Sequence, residues 1–346
     1  MSKEPIFGIF NDIHLGIGNE DAVVLSVKHM ISKFLEIGID TVVFAGDFFH
    51  SRSNQTESVL QAAHEIFRLL DEAGIHLIFF PGNHDKTSYF SYSSFLDSFI
   101  FHPNTLFTDK LLRINIKGVG VTLLPFFADD LLVPMIDEAE GNDILISHFD
   151  MAGSTHLGKV CEKSSITKFT LKKFKKVYLG HYHNTHEISK DITHLPSLRQ
   201  SSFGEDAHKG FTIIYRDLSY EIIQGVFKKF NKFVLNIDEL SNEDIKELIL
   251  LHSDSEDTVR FEFIGEENSL RALDKNQFVG TGIDVKIKYQ KKYKDEGLGE
   301  KPVLIKKFEK SQIEELFKEF CEEKNYLYEE GVVILNEFLN KQQYGN

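Results

Sequence analysis

Five short clusters of carboxylate, imidazole and amide side chains mark the first 183 residues of this chain: Asp12-Ile13-His14, Gly46-Asp47-Phe48-Phe49-His50, Gly82-Asn83-His84-Asp85, Ser147-His148 and Gly180-His181-Tyr182-His183. Carboxylate, imidazole and amide oxygen together suit hard-to-borderline divalent metals such as Mn, Fe or Zn and disfavour a thiolate site. Asp-x-His on an extended turn can aim both side chains at one ion. His-x-His does the same, because alternate residues of a strand share a face. Asp47, standing between two such groups, can bridge a pair of ions. Two ions ~3.5–4 Å apart clamp the attacking and leaving oxygens of a phosphoester in line. They also lower the pKa of a shared water, so that hydroxide is available at neutral pH.

Each cluster taken singly has a plainer reading. Asp-x-His is common, Gly-Asp after a strand is often a turn or helix cap, and a lone His148 reads as a buried, satisfied histidine. Five of them in this order, each following an apolar run, point to one site.

Strands must carry these clusters. The apolar runs 6–10, 41–44, 75–80, 121–124, 144–147 and 177–179 are short and end in polar or glycine-containing turns, as buried central strands do. Between them, 21–35 and 56–73 show helical spacing. In the second, Val59, Ala62, Ala63, Ile66, Phe67 and Leu70 share a face, and Gly38 and Gly74 sit where the two helices should stop. The expectation is an α/β layered domain with all five clusters at the carboxyl edge of one sheet, where open α/β folds place ligand sites. Strands at 211–215 and 219–226 close it, giving a first domain over 1–226.

A second unit is expected at 227–292. It reads as strand 230–237, a helix capped by Ser241 with Asp244 in its first turn, strand 258–264, helix 267–276 and strand 283–289. This is a small α+β domain. Charged, glycine-bearing residues 293–305 read as a linker. The region 306–346 reads as helical, with Ser311 and Glu314 approximating a capping box and an apolar stripe of Ile313, Leu316, Phe317, Phe320 and Leu327.

Composition narrows the function. The two cysteines, Cys161 and Cys321, exclude a disulfide framework and suit a reducing compartment. The early apolar run 6–10 is too short for a membrane span or signal peptide, so a cytoplasmic protein with no membrane contact is expected. With 39 Lys plus Arg against 53 Asp plus Glu, the net charge of −14 excludes nucleic-acid binding through the overall field. Any DNA contact must be local, for example through Lys172, Lys173, Lys175 and Lys176, or Lys286, Lys288, Lys291, Lys292 and Lys294, although a solvated face explains either run. Of 15 histidines only His252 lies beyond residue 210, which keeps the chemistry in the first two-thirds.

The five clusters resemble those of the calcineurin-like metallophosphoesterases. Gly-Asp-Phe-Phe-His is similar to the SbcD-type branch, the DNA double-strand-break repair nucleases. The segments Leu195-Pro196-Ser197, Ser202-Phe203-Gly204-Glu205 and Lys209-Gly210-Phe211 resemble the part that closes the nuclease domain in that branch. The resemblance covers about residues 5–225. It implies a layered β-sandwich flanked by helices, a capping domain that guides DNA, and a C-terminal helical region. It implies two divalent ions, usually manganese. Asp12, His14, Asp47 and His183 would hold one, and Asp47, Asn83, His148 and His181 the other. His84 would contact the scissile phosphate or protonate the leaving oxygen, Asp85 would orient its ring, and His50 would position the DNA phosphate for exonucleolytic cutting. It implies exo- and endonuclease activity, a homodimer, and an SbcC-type coiled-coil ATPase partner. That partner would take Ile313, Leu316, Phe317 and Phe320 in a groove. The aromatic stretch Tyr89, Phe90, Tyr92, Phe95, Phe99 and Phe101, with helix 56–73, reads either as core or as the dimer face.

Two other functions remain open on sequence: a small-substrate phosphoesterase, and a scaffold that has lost catalysis. The filled ligand positions and His84 speak against the scaffold. His50 and the appended domains speak against the small substrate.

Overall fold

The structure is a computed structural model that describes residues 3–141, 143–156, 159–289 and 318. In chain order, β1 (Pro5–Phe10), α1 (Glu20–Ile37), β2 (Thr41–Ala45), α2 (Glu57–Glu72), β3 (His76–Phe80) and β4 (Thr105–Phe107) come first. Then follow β5 (Leu112–Ile116), β6 (Val119–Leu124), α3 (Asp129–Glu138), β7 (Ile144–Ser147) and the short ribbon β8 (Thr155–His156) and β9 (Lys159–Val160). Next are α4 (Lys168–Leu171), β10 (Lys176–Leu179), β11 (His186–Ser189), β12 (Ile192–His194), β13 (Gly210–Tyr215) and β14 (Tyr220–Gln224). The last described elements are β15 (Phe230–Asn236), α5 (Asn242–His252), β16 (Thr258–Ile264), α6 (Glu267–Ala272) and β17 (Asp284–Ile287).

These strands form two stacked six-stranded sheets, ordered β14-β13-β1-β2-β3-β4 and β11-β12-β10-β7-β6-β5. This is the layered β-sandwich that the resemblance implied, and it corrects the single sheet edge expected from the residue pattern. The reason lies in the pleat, which sends successive side chains to opposite faces. In β2 and β3, Val43, Ala45, Ile78 and Phe80 enter the core between the sheets, where Val121, Ile144, Ile146 and Tyr178 meet them. Val42, Phe44, Leu77 and Phe79 pack outward against α1 and α2. On the far side of the second sheet, Leu145, Val177 and Leu179 pack against α3 and α4. The result is a four-layer α/β/β/α sandwich, of the mixed α/β class the sequence implied. Strands buried on both faces read as continuous apolar runs, and β1–β3, β7 and β10 do so.

α2 buries Val59, Ala62, Ala63, Ile66, Phe67 and Leu70, the face expected from spacing. Gly38 ends α1 in the left-handed region, at φ 81°. Residues 230–287 make a parallel sheet, β15-β16-β17, whose own core includes Ile245, Val259, Phe261, Phe263, Leu270 and Phe278. Ser241 and Asp244 form the capping box of α5. The helix expected over 267–276 stops at Ala272, and a 3₁₀ turn, Lys275–Phe278, follows. Apart from Lys318, which is helical, the expected linker and helical region, with Ile313, Leu316, Phe317, Phe320 and Cys321, lie outside the described residues.

The aromatic stretch divides. Phe99 is buried against Phe67, while Phe90, Tyr92 and Phe101 are exposed. The lysine run at 172–176 is largely engaged within the chain: Lys173 donates to the carbonyls of Asp137 and Ala139, Lys175 pairs with Asp143 and Lys176 with Asp191. Lys288 pairs with Glu262.

Candidate metal centre

All seven expected ligands meet where the two sheets' parallel strands end. Asp12 and His14 follow β1, Asp47 follows β2 and Asn83 follows β3. His148 follows β7, and His181 and His183 follow β10. The turns that carry them lean on one another. The amides of Asp12 and His14 donate to the carbonyls of Gly46 and Asp47. His148 Nδ1 lies 2.8 Å from the Ala45 carbonyl oxygen and so ties the second sheet to the first.

Turning chemistry toward one point costs backbone strain. Asp12, His14, Asp47 and His181 all have positive φ, between 45° and 83°. Such conformations are uncommon outside glycine and cluster at functional sites. The glycines preceding three of the clusters are needed for close approach. A Cβ on Gly46 would stand 2.6 Å from His148 Nδ1, and one on Gly180 would stand 2.8 Å from both that atom and the Ala45 oxygen. A Cβ on Gly82 would collide with the Asp47 carboxylate.

Two overlapping donor sets result. In the first, Nε2 of His14 and His183 are 2.9 Å apart, and Oδ1 of Asp12 lies 3.8 and 3.7 Å from them. In the second, Asn83 Oδ1 lies 3.1 Å from His148 Nε2 and 2.9 Å from His181 Nδ1. Asp47 reaches both: Oδ2 is 3.7 Å from His14 Nε2, and Oδ1 is 3.3 Å from His148 Nε2. Oδ1 of Asp12 is buried with no hydrogen-bond partner among the described residues. A buried carboxylate oxygen without a donor, facing imidazole nitrogens, fits a cation that completes it. The residues therefore fit two ions, with Asp47 shared.

Charge within the cluster is divided: His14, His181 and Asp47 are held in the form a ligand needs, and His148 and Asp12 are not. Burial holds His14 and His181 well below the ordinary histidine pKa, keeping them neutral as ligands must be. Burial opposes the charged form of Asp47, yet the His148 and His14 imidazoles outweigh it and hold the carboxyl well below its usual range. Burial likewise opposes His148, but Asp47 and Asp12 raise it to about 9. Burial raises Asp12.

His84 sits beside this set. Its amide donates to Asp47 Oδ1 at 2.8 Å, and its ring Nδ1 lies 2.7 Å from the His50 carbonyl oxygen. That carbonyl, and not the Asp85 carboxylate, holds the ring, which corrects the role expected of Asp85. Asp85 is fully buried and accepts the amides of Phe48, Phe49 and Gly82, each at 2.9 Å. It thus staples the turn after β2 to the turn after β3. His50 is exposed and lines the same cavity, of about 280 Å³, as His14, Asp47, Asn83 and His84.

Other residues of the site had no assigned role. Glu205 Oε1 lies 2.8 Å from His183 Nδ1 and accepts from Ser201 and Ser202, so it orients that ring as carboxylates do behind histidines that hold a metal. The segment containing it was visible in sequence, but its chain distance from His183 hid the contact. Arg52 also lines the cavity. Its neighbours in sequence, Ser51, Ser53 and Asn54, carry no metal pattern to flag it.

The calcineurin-like phosphoesterase family model matches residues 6–185, slightly more than half of the chain. The chain belongs to this family, whose members use a dinuclear metal site. It is 25% identical over 187 residues to exonuclease subunit 1 of Enterobacteria phage T4, a match covering 51% of this chain and 55% of that protein. The chain thus spans about half the length of the curated relative it matches. Among solved structures it is similar to a dimetal phosphatase from Danio rerio, at 10% identity and TM-score 0.44, over 61% of this chain and 93% of the other. It is also similar to the Pseudomonas putida nuclease MPE, at 13% identity and TM-score 0.27, over 54% and 66%. No helix among the described residues is long and apolar enough to cross a membrane.

Proposed function

We propose that this phosphoesterase is a two-metal DNA nuclease, with exo- and endonuclease activity, working as the nuclease subunit of an SbcCD-like complex in repair or recombination. The observation that carries the reading is the shape of the site. The metal cavity is open at His50, and a second cavity continues from it, sharing His14, His50 and Ser201 and reaching Phe230 and Thr258 of the β15–β17 unit. A site that runs on past the reacting centre suits a polymer better than a small diester. The similarity to an exonuclease subunit supports the same substrate.

Two manganese ions held by Asp12, His14, His183, Asn83, His148, His181 and the shared Asp47 would supply Lewis-acid stabilisation of the phosphoryl oxygens and an activated water. The chain's own residues do the rest. His84, with Nδ1 held by the His50 carbonyl, presents its other nitrogen to the cavity, where it stabilises the phosphate or protonates the leaving oxygen. His50 contacts the strand at the cavity mouth. Residues 227–292 act as the capping domain, and Ile313, Leu316, Phe317 and Phe320 dock on a coiled-coil ATPase. α2 and the exposed Phe90, Tyr92 and Phe101 pair two copies, and the complex works in the cytoplasm.

Cleavage of end-labelled linear duplex DNA with manganese tests this, with chelator as control. Metal-dependent degradation is expected. Hydrolysis of a model phosphodiester with DNA left intact, even with an ATPase partner supplied, would instead support the small-substrate alternative.

A further inference from the structure

The second cavity, about 280 Å³ in volume, has an unusual lining for a chain with net charge −14. Arg199 and Lys228 face it, together with His50, and no described residue lining it is a carboxylate. Arg199 is 5% exposed, and its Nε has no hydrogen-bond partner among the described residues. Among the described residues its side chain bonds only from Nη1 to the Gln200 carbonyl oxygen. The carboxylate that acts on it, Glu205, is occupied by His183, Ser201 and Ser202. Lys228 is exposed and makes no ion pair among the described residues. A buried guanidinium with an unused donor is costly unless something anionic completes it. Phe230 supplies an aromatic wall, and Ile17, 79% exposed, an apolar lip.

We propose that this cavity is a nucleotide subsite in which Arg199 and Lys228 hold the phosphate next to the one at the metal centre, with sugar or base against Phe230 and Ile17. The combination of cations tracking a backbone and an aromatic face for a base is what sequence-tolerant strand binding requires. The three residues shared with the metal cavity make the two positions neighbours along one strand. The inference rests on the nuclease reading above and adds where the strand lies.

The test compares a single-stranded oligodeoxynucleotide with bis(p-nitrophenyl) phosphate, which carries one phosphate only, using the full chain. In Lys228→Ala the ratio of kcat/KM for the oligonucleotide over the small diester falls about tenfold, the effect of one charge-assisted contact. Arg199→Gln lowers the ratio at least as far, and Arg199→Lys restores part of it. In chelator, where nothing is cleaved, the slope of log binding constant against log salt falls by about 0.7 for Lys228→Ala. Folded variants with an unchanged ratio and slope, or an equal loss on both substrates, would overturn the subsite while leaving the nuclease reading intact. A wild type that hydrolyses the small diester but neither binds nor cuts the oligonucleotide, even with an ATPase partner supplied, would overturn both.

Discussion

Oδ1 of Asp47 lies 3.3 Å from Nε2 of His148, although the two residues follow strands of different sheets. Neither sheet alone makes the second donor set, Asp47 and Asn83 coming from one and His148 and His181 from the other. The site is therefore a product of sheet stacking, and whatever keeps the sheets at this separation also sets the ligand geometry.

The glycines at the strand ends let the ligand-bearing turns approach this closely, Gly180 across the two sheets and Gly82 within the first. Gly82→Ala puts a Cβ into the Asp47 carboxylate and backbone amide, and Gly180→Ala puts one against the Ala45 oxygen and His148. Overpacking of this kind costs about 1–3 kcal/mol. Both variants are expected to lose metal affinity well before they lose the fold, as read by calorimetric metal titration beside thermal melts. Wild-type metal binding in Gly82→Ala would contradict the packing described here.

Metal uptake should release protons. His148 in the metal-free protein has its pKa raised to about 9, so it is charged at pH 7, and a ligand must be neutral. The sign follows: protons compete with metal below about 9, and apparent affinity rises with pH toward that value. Titrations in buffers of different ionisation enthalpy should show at least one proton leaving per protein at pH 7. Heats independent of the buffer would rule this out.

His84 lies close enough to His14 and Asp47 to be mistaken for a ligand. Its Nδ1 is committed to the His50 carbonyl, and its amide to Asp47. His84→Gln is expected to keep the wild-type metal content and lower kcat by about 10²–10⁴, the range for a lost acid–base or stabilising group. If metal content drops by one ion instead, His84 is a ligand.

Much of this site was legible because each cluster follows a short apolar run, and runs buried on both faces leave that signature. The α2 face was legible for the same reason, in a 3.6 period. The partition into two sheets was not legible in the residue pattern, and entered only through the resemblance, which implied a β-sandwich flanked by helices. It depends on pairings such as β1 with β13, which join residues some 200 positions apart. β5 was missed because Arg113 and Asn115 break its apolar run and leave it half exposed. α3 was missed because Pro134 interrupts its pattern. The role that the resemblance implied for Asp85 fails because its side chain turns to the amides of Phe48, Phe49 and Gly82.

The central claim is a pair of ions with Asp47 between them. Metal content by mass spectrometry, after manganese loading and removal of free ion, tests it most directly, with wild type measured beside Asp47→Ala. Two ions per wild-type chain and at most one in a folded Asp47→Ala variant is the expected result. A single ion in the wild type, or two retained in Asp47→Ala, would contradict it.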